Sequence, residues 1–213
     1  STLAGALAAV KQHTRVAHIE AGLRSGNRKM PEEINRVLTD HASDILFTPS
    51  EAATKNLISE GICTNKIHLV GDVMKDATVL FGDYAKRPMF GDKRINLKDK
   101  FVLATVHRAE NTDCKYRLSE IFLGLGNCDE PVILPLHPRT KKKIIEFGIK
   151  IKPNIYICDP VGYLEMVWLQ KHCIAIATDS GGLQKEAFFH GKKCITMRSE
   201  TEWHELVSTG WNT

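Results

Sequence analysis

The chain of 213 residues is 43% hydrophobic and 25% charged, with a formal net charge of +4 at pH 7. That balance supports a sizeable core, excludes a disordered or low-complexity chain, and is too mildly basic for a nucleic-acid binder. The apolar runs are only strand-sized, so neither a transmembrane helix nor a signal peptide is predicted, and no membrane partner is expected. In chain order, "STLAGALAAVKQHT" reads as a helix capped by Ser1 or Thr2. The chain opens on this helix without a Met, and "ELVSTGWNT" stops as a helix finishes, the pattern expected of a piece of a longer chain. Eight apolar runs then read as strands: 15–20, 44–48, 66–70, 101–106, 131–136, 154–158, 173–178 and 193–197. Helical patterns lie between them, and several runs are apolar on both faces, which predicts parallel β-α units with helices on each side.

In "MPEEINRVLTDHASDI", Pro31 fits the first helical position and Glu32 and Glu33 complement the helix dipole. Ile34, Val37, Leu38, Ala42 and Ile45 form the expected buried stripe, and Glu32 with Arg36 has the spacing of a surface pair. The segment 82–100, rich in Gly, Pro and charge, is the expected junction between a partial first domain (1–90) and a second one (91–213). The densest basic cluster, "RTKKKII" at 139–145, reads as a solvated helix face. Six cysteines without a CxxC pair suit reduced thiols of a cytosolic enzyme better than disulfides or a zinc site.

Ligands of open α/β sheets bind beyond the carboxyl ends of the strands, so the residues standing there carry the functional reading. His18 and Glu20 end the first run, on one face by alternation. His107, Arg108, Glu110 and Asn111 follow the fourth run, and His137 and Arg139 the fifth. Asp179-Ser180-Gly181-Gly182 follows the seventh, and Arg198, Glu200 and Glu202 the eighth. One such histidine is ordinarily structural; three beside arginines or carboxylates point to a site for an anion bearing hydroxyl groups. Glu20 and Glu32 are placed to meet in one pocket as acid and base. Ser180 is a candidate N-cap. Gly181 and Gly182 read equally as a close strand–helix corner or as bare N–H groups for a phosphate. Glu186, one turn on, suits ribose hydroxyls. Asp179 is expected to shape the turn.

Taken in order, "HIEAGLRSGNRKMPEEINRVLTDH", "TVHRAEN", "LPLHPRT", "DSGGLQKEA" and "RSETEW" resemble the non-hydrolysing UDP-N-acetylglucosamine 2-epimerase family along almost the whole chain. The resemblance implies the GT-B architecture: two Rossmann-like parallel-sheet domains, the first incomplete here. It implies a UDP-sugar substrate, no NAD and no metal, a cytoplasmic homodimer and a role in cell-surface polysaccharide precursor synthesis. By that likeness Glu20 and Glu32 are the acid/base carboxylates and His107 the essential histidine near the diphosphate. Arg108, His137 and Arg198 join the UDP contacts. Ser180, Gly181 and Gly182 form the phosphate turn, and Glu186 is the ribose ligand. Arg36 and His137 match positions around an allosteric UDP-GlcNAc site of some members.

The family's catalytic aspartate, in a Gly-Asp motif, is expected just before "STLAG". Met166 stands where members often carry Phe against the uracil, and Trp203 where some carry Arg. Those changes resemble the subgroup acting on UDP-2,3-diacetamido-glucuronic acid. A GT-B glycosyltransferase is the rival enzyme, sharing the glycine turn but not needing both carboxylates. A UDP-sugar-binding module is the non-catalytic rival. No GxGxxG follows any strand, which disfavours a dehydrogenase.

Overall fold

The computed structural model describes residues 2–90 and 100–213. Ser1 and positions 91–99 of the expected junction lie outside the described residues. The chain divides into two compact units, residues 1–76 and 77–213.

In the first unit, α1 (Thr2–Lys11) precedes β1 (Ala17–Ile19), α2 (Pro31–Ala42), β2 (Ile45–Thr48), α3 (Glu51–Ser59) and β3 (Ile67–Leu69). The strands form a parallel sheet in the order β1-β2-β3. Ser50 caps α3 by accepting the Ala53 N–H, and Pro31 opens α2 with Glu32 and Glu33 in its first turn. Among the described residues, the buried apolar centre of this unit gathers Ala21, Leu46 and Leu57. The helix α4 (Val73–Gly82) spans the division between the units.

The second unit runs β4 (Val102–Thr105), α5 (Ala109–Thr112), α6 (Lys115–Gly126), β5 (Val132–Pro135), α7 (Pro138–Phe147) and β6 (Ile155–Cys158). It continues through α8 (Tyr163–His172), β7 (Ala175–Thr178), α9 (Gly181–Phe189), β8 (Lys193–Thr196) and α10 (His204–Ser208). Its parallel sheet has the order β6-β5-β4-β7-β8. One core joins α6 and α7 side chains such as Phe122 and Ile144 to one sheet face; a second joins Leu169 and Ala187 of α8 and α9 to the other. The order reverses between β4 and β7, the doubly wound pattern whose crevice lies at that switch point. Each of the eight expected strands is present, trimmed at its ends, so the expected α/β fold of parallel-sheet units is the observed one.

Two local readings are corrected. The stripe of α2 is not the buried one: Ile34 and Leu38 are exposed, while Glu33, Thr39 and Asp40 are buried. The loop after β1 supplies the reason. Its N–H groups need acceptors, so Glu33 takes those of Ser25 and Gly26, and Asp40 that of Gly22. Glu20, moreover, is not in register with His18, because β1 ends at Ile19 and Glu20 turns to φ 65°.

Candidate functional site

At the switch point of the second unit lies a cavity of about 330 Å³, lined among others by His107, His137, Met166, Ser180, Gly182 and Glu186. Its size falls within the range of small-molecule sites. The floor is set by the last residues of β4 and β7, whose Thr105 and Thr178 hydroxyls share a hydrogen bond of 2.5 Å. Just beyond them Asp179 is fully buried and accepts the main-chain N–H groups of His107 (3.1 and 3.0 Å) and Arg108 (2.9 Å) and the Asn111 amide (3.1 Å). One carboxylate thus ties the two strand ends together.

The His107 ring is half-exposed, with Nδ1 3.3 Å from Asp179 Oδ1. Burial pulls its pKa below the ordinary imidazole range; Asp179 opposes this, and Arg108 and His137 add to it. The His107 and His137 rings lie 6.4 Å apart. His137 caps α7, its Nδ1 accepting the Arg139 N–H at 3.2 Å, so a proton on the neutral ring resides on Nε2. Opposite, Ser180 caps α9 by accepting the Leu183 N–H at 3.4 Å. Glu186, in the second turn of α9, accepts the Gln170 amide at 2.7 Å. Burial pushes its carboxyl pKa up, and the Gln170 donor holds it back. Imidazoles and a capped helix N-terminus can receive an anion, and a half-buried carboxylate can accept hydroxyl donors.

The two glycines divide the work. A Cβ on Gly181 would overlap Glu202 Oε1, and Glu202 is buried in an ion pair with Arg198 (3.1 Å). Gly181 is therefore a packing corner, whose carbonyl accepts the Trp203 indole N–H at 2.7 Å. Gly182 lines the cavity. Arg198 lies behind the turn, its side chain buried against Glu202 and 3.7 Å from Glu110. Met166 lines the cavity; Trp203 is buried, with Lys185 Nζ 4.4 Å from its ring centroid, and lies outside that lining.

In the first unit, Glu20 stands half-buried at the end of β1 in the left-handed region, a conformation costing roughly 1–2 kcal/mol for a residue with a Cβ. Glu32 is exposed in the first turn of α2, and Arg36 lies 3.7 Å from the buried Glu33. Behind this loop runs a polar network. Asp40 pairs with His18 Nδ1 (2.6 Å) and Arg24 (2.8 Å), and Arg24 grips Glu60 through two bonds of 2.7 Å. Burial disfavours the charge on Arg24, but Glu60 and Asp40 outweigh it and raise its pKa; Arg24 in turn lowers that of Glu60. A Cβ on Gly22, at φ 80°, would overlap the Ala53 carbonyl, which fixes the loop against α3. Among the described residues, no cluster of three or more His, Cys, Asp or Glu side chains has metal-binding spacing, and no helix is long and apolar enough to cross a membrane.

The family model described as UDP-N-acetylglucosamine 2-epimerase matches residues 1–213. The chain belongs to the UDP-N-acetylglucosamine 2-epimerase family. Among its family relatives, UDP-2,3-diacetamido-2,3-dideoxy-D-glucuronate 2-epimerase of Pseudomonas aeruginosa is 54% identical over 217 residues, covering 100% of this chain and 60% of that protein. UDP-N-acetylglucosamine 2-epimerase of Methanococcus maripaludis is 46% identical, covering 100% of this chain and 61% of that one. The structure of Methanocaldococcus jannaschii UDP-GlcNAc 2-epimerase in complex with UDP-GlcNAc and UDP matches with a TM-score of 0.88 at 46% identity, over 99% of this chain and 61% of that one. The chain thus spans about three-fifths of the length of these epimerase relatives.

Within the epimerase family framework, the structure brings His107, His137, Ser180, Gly182 and Glu186 to one cavity. Arg108 meets Asp179 through its main chain, and Gly181 and Arg198 stand behind the turn. Glu20, Glu32 and Arg36 belong to the first unit. Sequence reasoning passed over Gln170, Asp40 and the anchoring role of Asp179. Glu33, Val37 and Asp40 recur at helical spacing, a signal that could have marked the buried polar face of α2.

Proposed function

We propose that the protein is a 2-epimerase of a UDP-linked 2-acetamido sugar, with the switch-point cavity of the second unit as its UDP site. The observation that carries this is the convergence of His107, His137, the α9 N-terminus and Glu186 on one cavity, in a chain of this family. Diphosphate oxygens would meet the imidazoles and the bare N–H groups beside Gly182, and ribose hydroxyls would meet Glu186.

The reaction follows from what this binding makes easy. A base removes the C2 proton as the C1–O bond to UDP breaks on the opposite face, leaving 2-acetamidoglucal. A proton returned to the other face of C2 and re-addition of UDP at C1 give the epimer. The donors around the diphosphate stabilise the charge that gathers on UDP as it leaves. Glu20 and Glu32 are the carboxylates assigned to the C2 proton, and the strained backbone of Glu20 supports that assignment. By family likeness the reaction draws on no NAD or metal, and the protein acts as a cytoplasmic homodimer supplying surface polysaccharide precursors.

Two substrates fit. UDP-GlcNAc, converted to UDP-ManNAc, matches the family description and the bound ligand of the Methanocaldococcus structure. UDP-2,3-diacetamido-glucuronic acid is supported by the 54%-identical Pseudomonas relative. Offering the protein each sugar nucleotide in turn and following the product by proton NMR decides between them. Formation of neither 2-epimer would sink the epimerase reading and favour a glycosyltransferase or a binding module.

A further inference from the structure

We propose that Gln170 is a positioning residue that aims Glu186 at the ribose hydroxyls of UDP, an inference that rests on the cavity being the UDP site. Gln170 lies on α8 with no exposed surface, and its Nε2 donates to Glu186 Oε2 at 2.7 Å across to α9. That bond occupies one carboxylate oxygen and fixes the plane of the group, which leaves Oε1 for a second donor. Among the described residues, the Gln170 carbonyl Oε1 is buried without a partner. A buried amide with an unpaired carbonyl is costly, and an apolar side chain would fill the same space without that cost. The amide therefore serves the Glu186 carboxyl, whose orientation and charge it supports.

The groups around Glu186 make the effect readable through pH. From α8 it faces Gln170 and Tyr163, whose pKa is raised first by burial and then by the Glu186 charge. His107 and His137 line the same cavity. Burial already pushes Glu186 toward protonation, and Gln170 is the donor that opposes it. The ionised carboxylate accepts a ribose hydroxyl at Oε1 better than the protonated one, so loss of the Gln170 donor weakens ribose recognition and moves that weakening to higher pH.

The test is calorimetric titration of UDP and 2′-deoxy-UDP into the protein and its variants, from about pH 5.5 to about pH 8.5, where raised carboxyls and imidazoles titrate. In the unaltered protein the preference for UDP should shrink as pH falls. Absence of any preference for UDP over 2′-deoxy-UDP at every pH contradicts the proposal. Gln170→Met, of similar length and without a donor, should lower the preference about tenfold, as loss of a hydrogen bond to a charged group does, and more at the acid end. Gln170→Glu, the same shape with a like charge, should act in the same direction and serves if Gln170→Met is unfolded by thermal melt. Glu186→Gln separates the two layers. If it keeps the full preference for UDP, or if the unaltered protein does not bind UDP at all, the cavity reading fails and this inference with it. If Glu186→Gln loses the preference while the Gln170 variants keep the native profile, the cavity reading stands and the role of Gln170 is overturned.

Discussion

Asp179 Oδ1 lies 3.3 Å from His107 Nδ1, and the same buried carboxylate accepts the main-chain N–H of His107 and Arg108. The imidazole is therefore neutralised by burial yet held beside a fixed negative charge. A diphosphate arriving on its other side adds further negative charge, and the imidazolium becomes the favoured form. UDP binding should be accompanied by proton uptake, measured as different binding heats in buffers of different ionisation enthalpy. His107→Asn should abolish the difference; equal heats in the unaltered protein would contradict this picture.

The two glycines of the α9 turn should fail in different ways. Gly181→Ala forces a Cβ into the buried Glu202 carboxylate held by Arg198, an overpacking that should cost roughly 1–3 kcal/mol in a denaturant titration. Gly182→Ala, in the cavity lining, should weaken UDP by about tenfold, or ~1.4 kcal/mol.

Much of this fold was legible in the sequence because parallel strands covered on both faces read as short apolar runs, and all eight were found. The polar side of the design was not. Asp179 looked like a turn residue because its partners, His107, Arg108 and Asn111, are about 70 positions away in the chain. Gln170 sat unnoticed in an apolar helix since its partner is on the next helix. The α2 stripe misled because periodicity locates an apolar face without saying which face the neighbouring loop requires. The serine cap and the cavity histidines were visible because each follows a strand end directly.

The network behind the β1 loop supports a stability prediction. Arg24→Met leaves the fully buried Asp40 with, among the described residues, His18 as its side-chain ion-pair partner and leaves Glu60 with His41 at 3.5 Å, and should cost about 3 kcal/mol or more by urea unfolding. Lys143→Ala, which removes the exposed pair with Glu146, should stay within about 0.5 kcal/mol.

His190 gives the acid limb. Burial, then Lys171 and Lys192, push its pKa down to about 4. The unfolded chain, with an ordinary imidazole near 6.5, binds the proton first as pH falls. Stability from the neutral ring is thus present above about pH 6.5 and is lost between there and about pH 4. His190→Leu should flatten the melting temperature across that window; an unchanged slope would show the ring is not responsible.

Deuterium uptake tests the central claim most directly. The protein is incubated in deuterated water with UDP-GlcNAc and, separately, with the diacetamido uronate, and the sugar C2 is followed by NMR. The epimerase reading predicts deuterium at C2 of the epimer with the native protein and a loss of at least a hundredfold in rate for Glu20→Gln, the scale of a lost acid/base group. Absence of C2 deuterium with either sugar, or a native rate in Glu20→Gln, would contradict it.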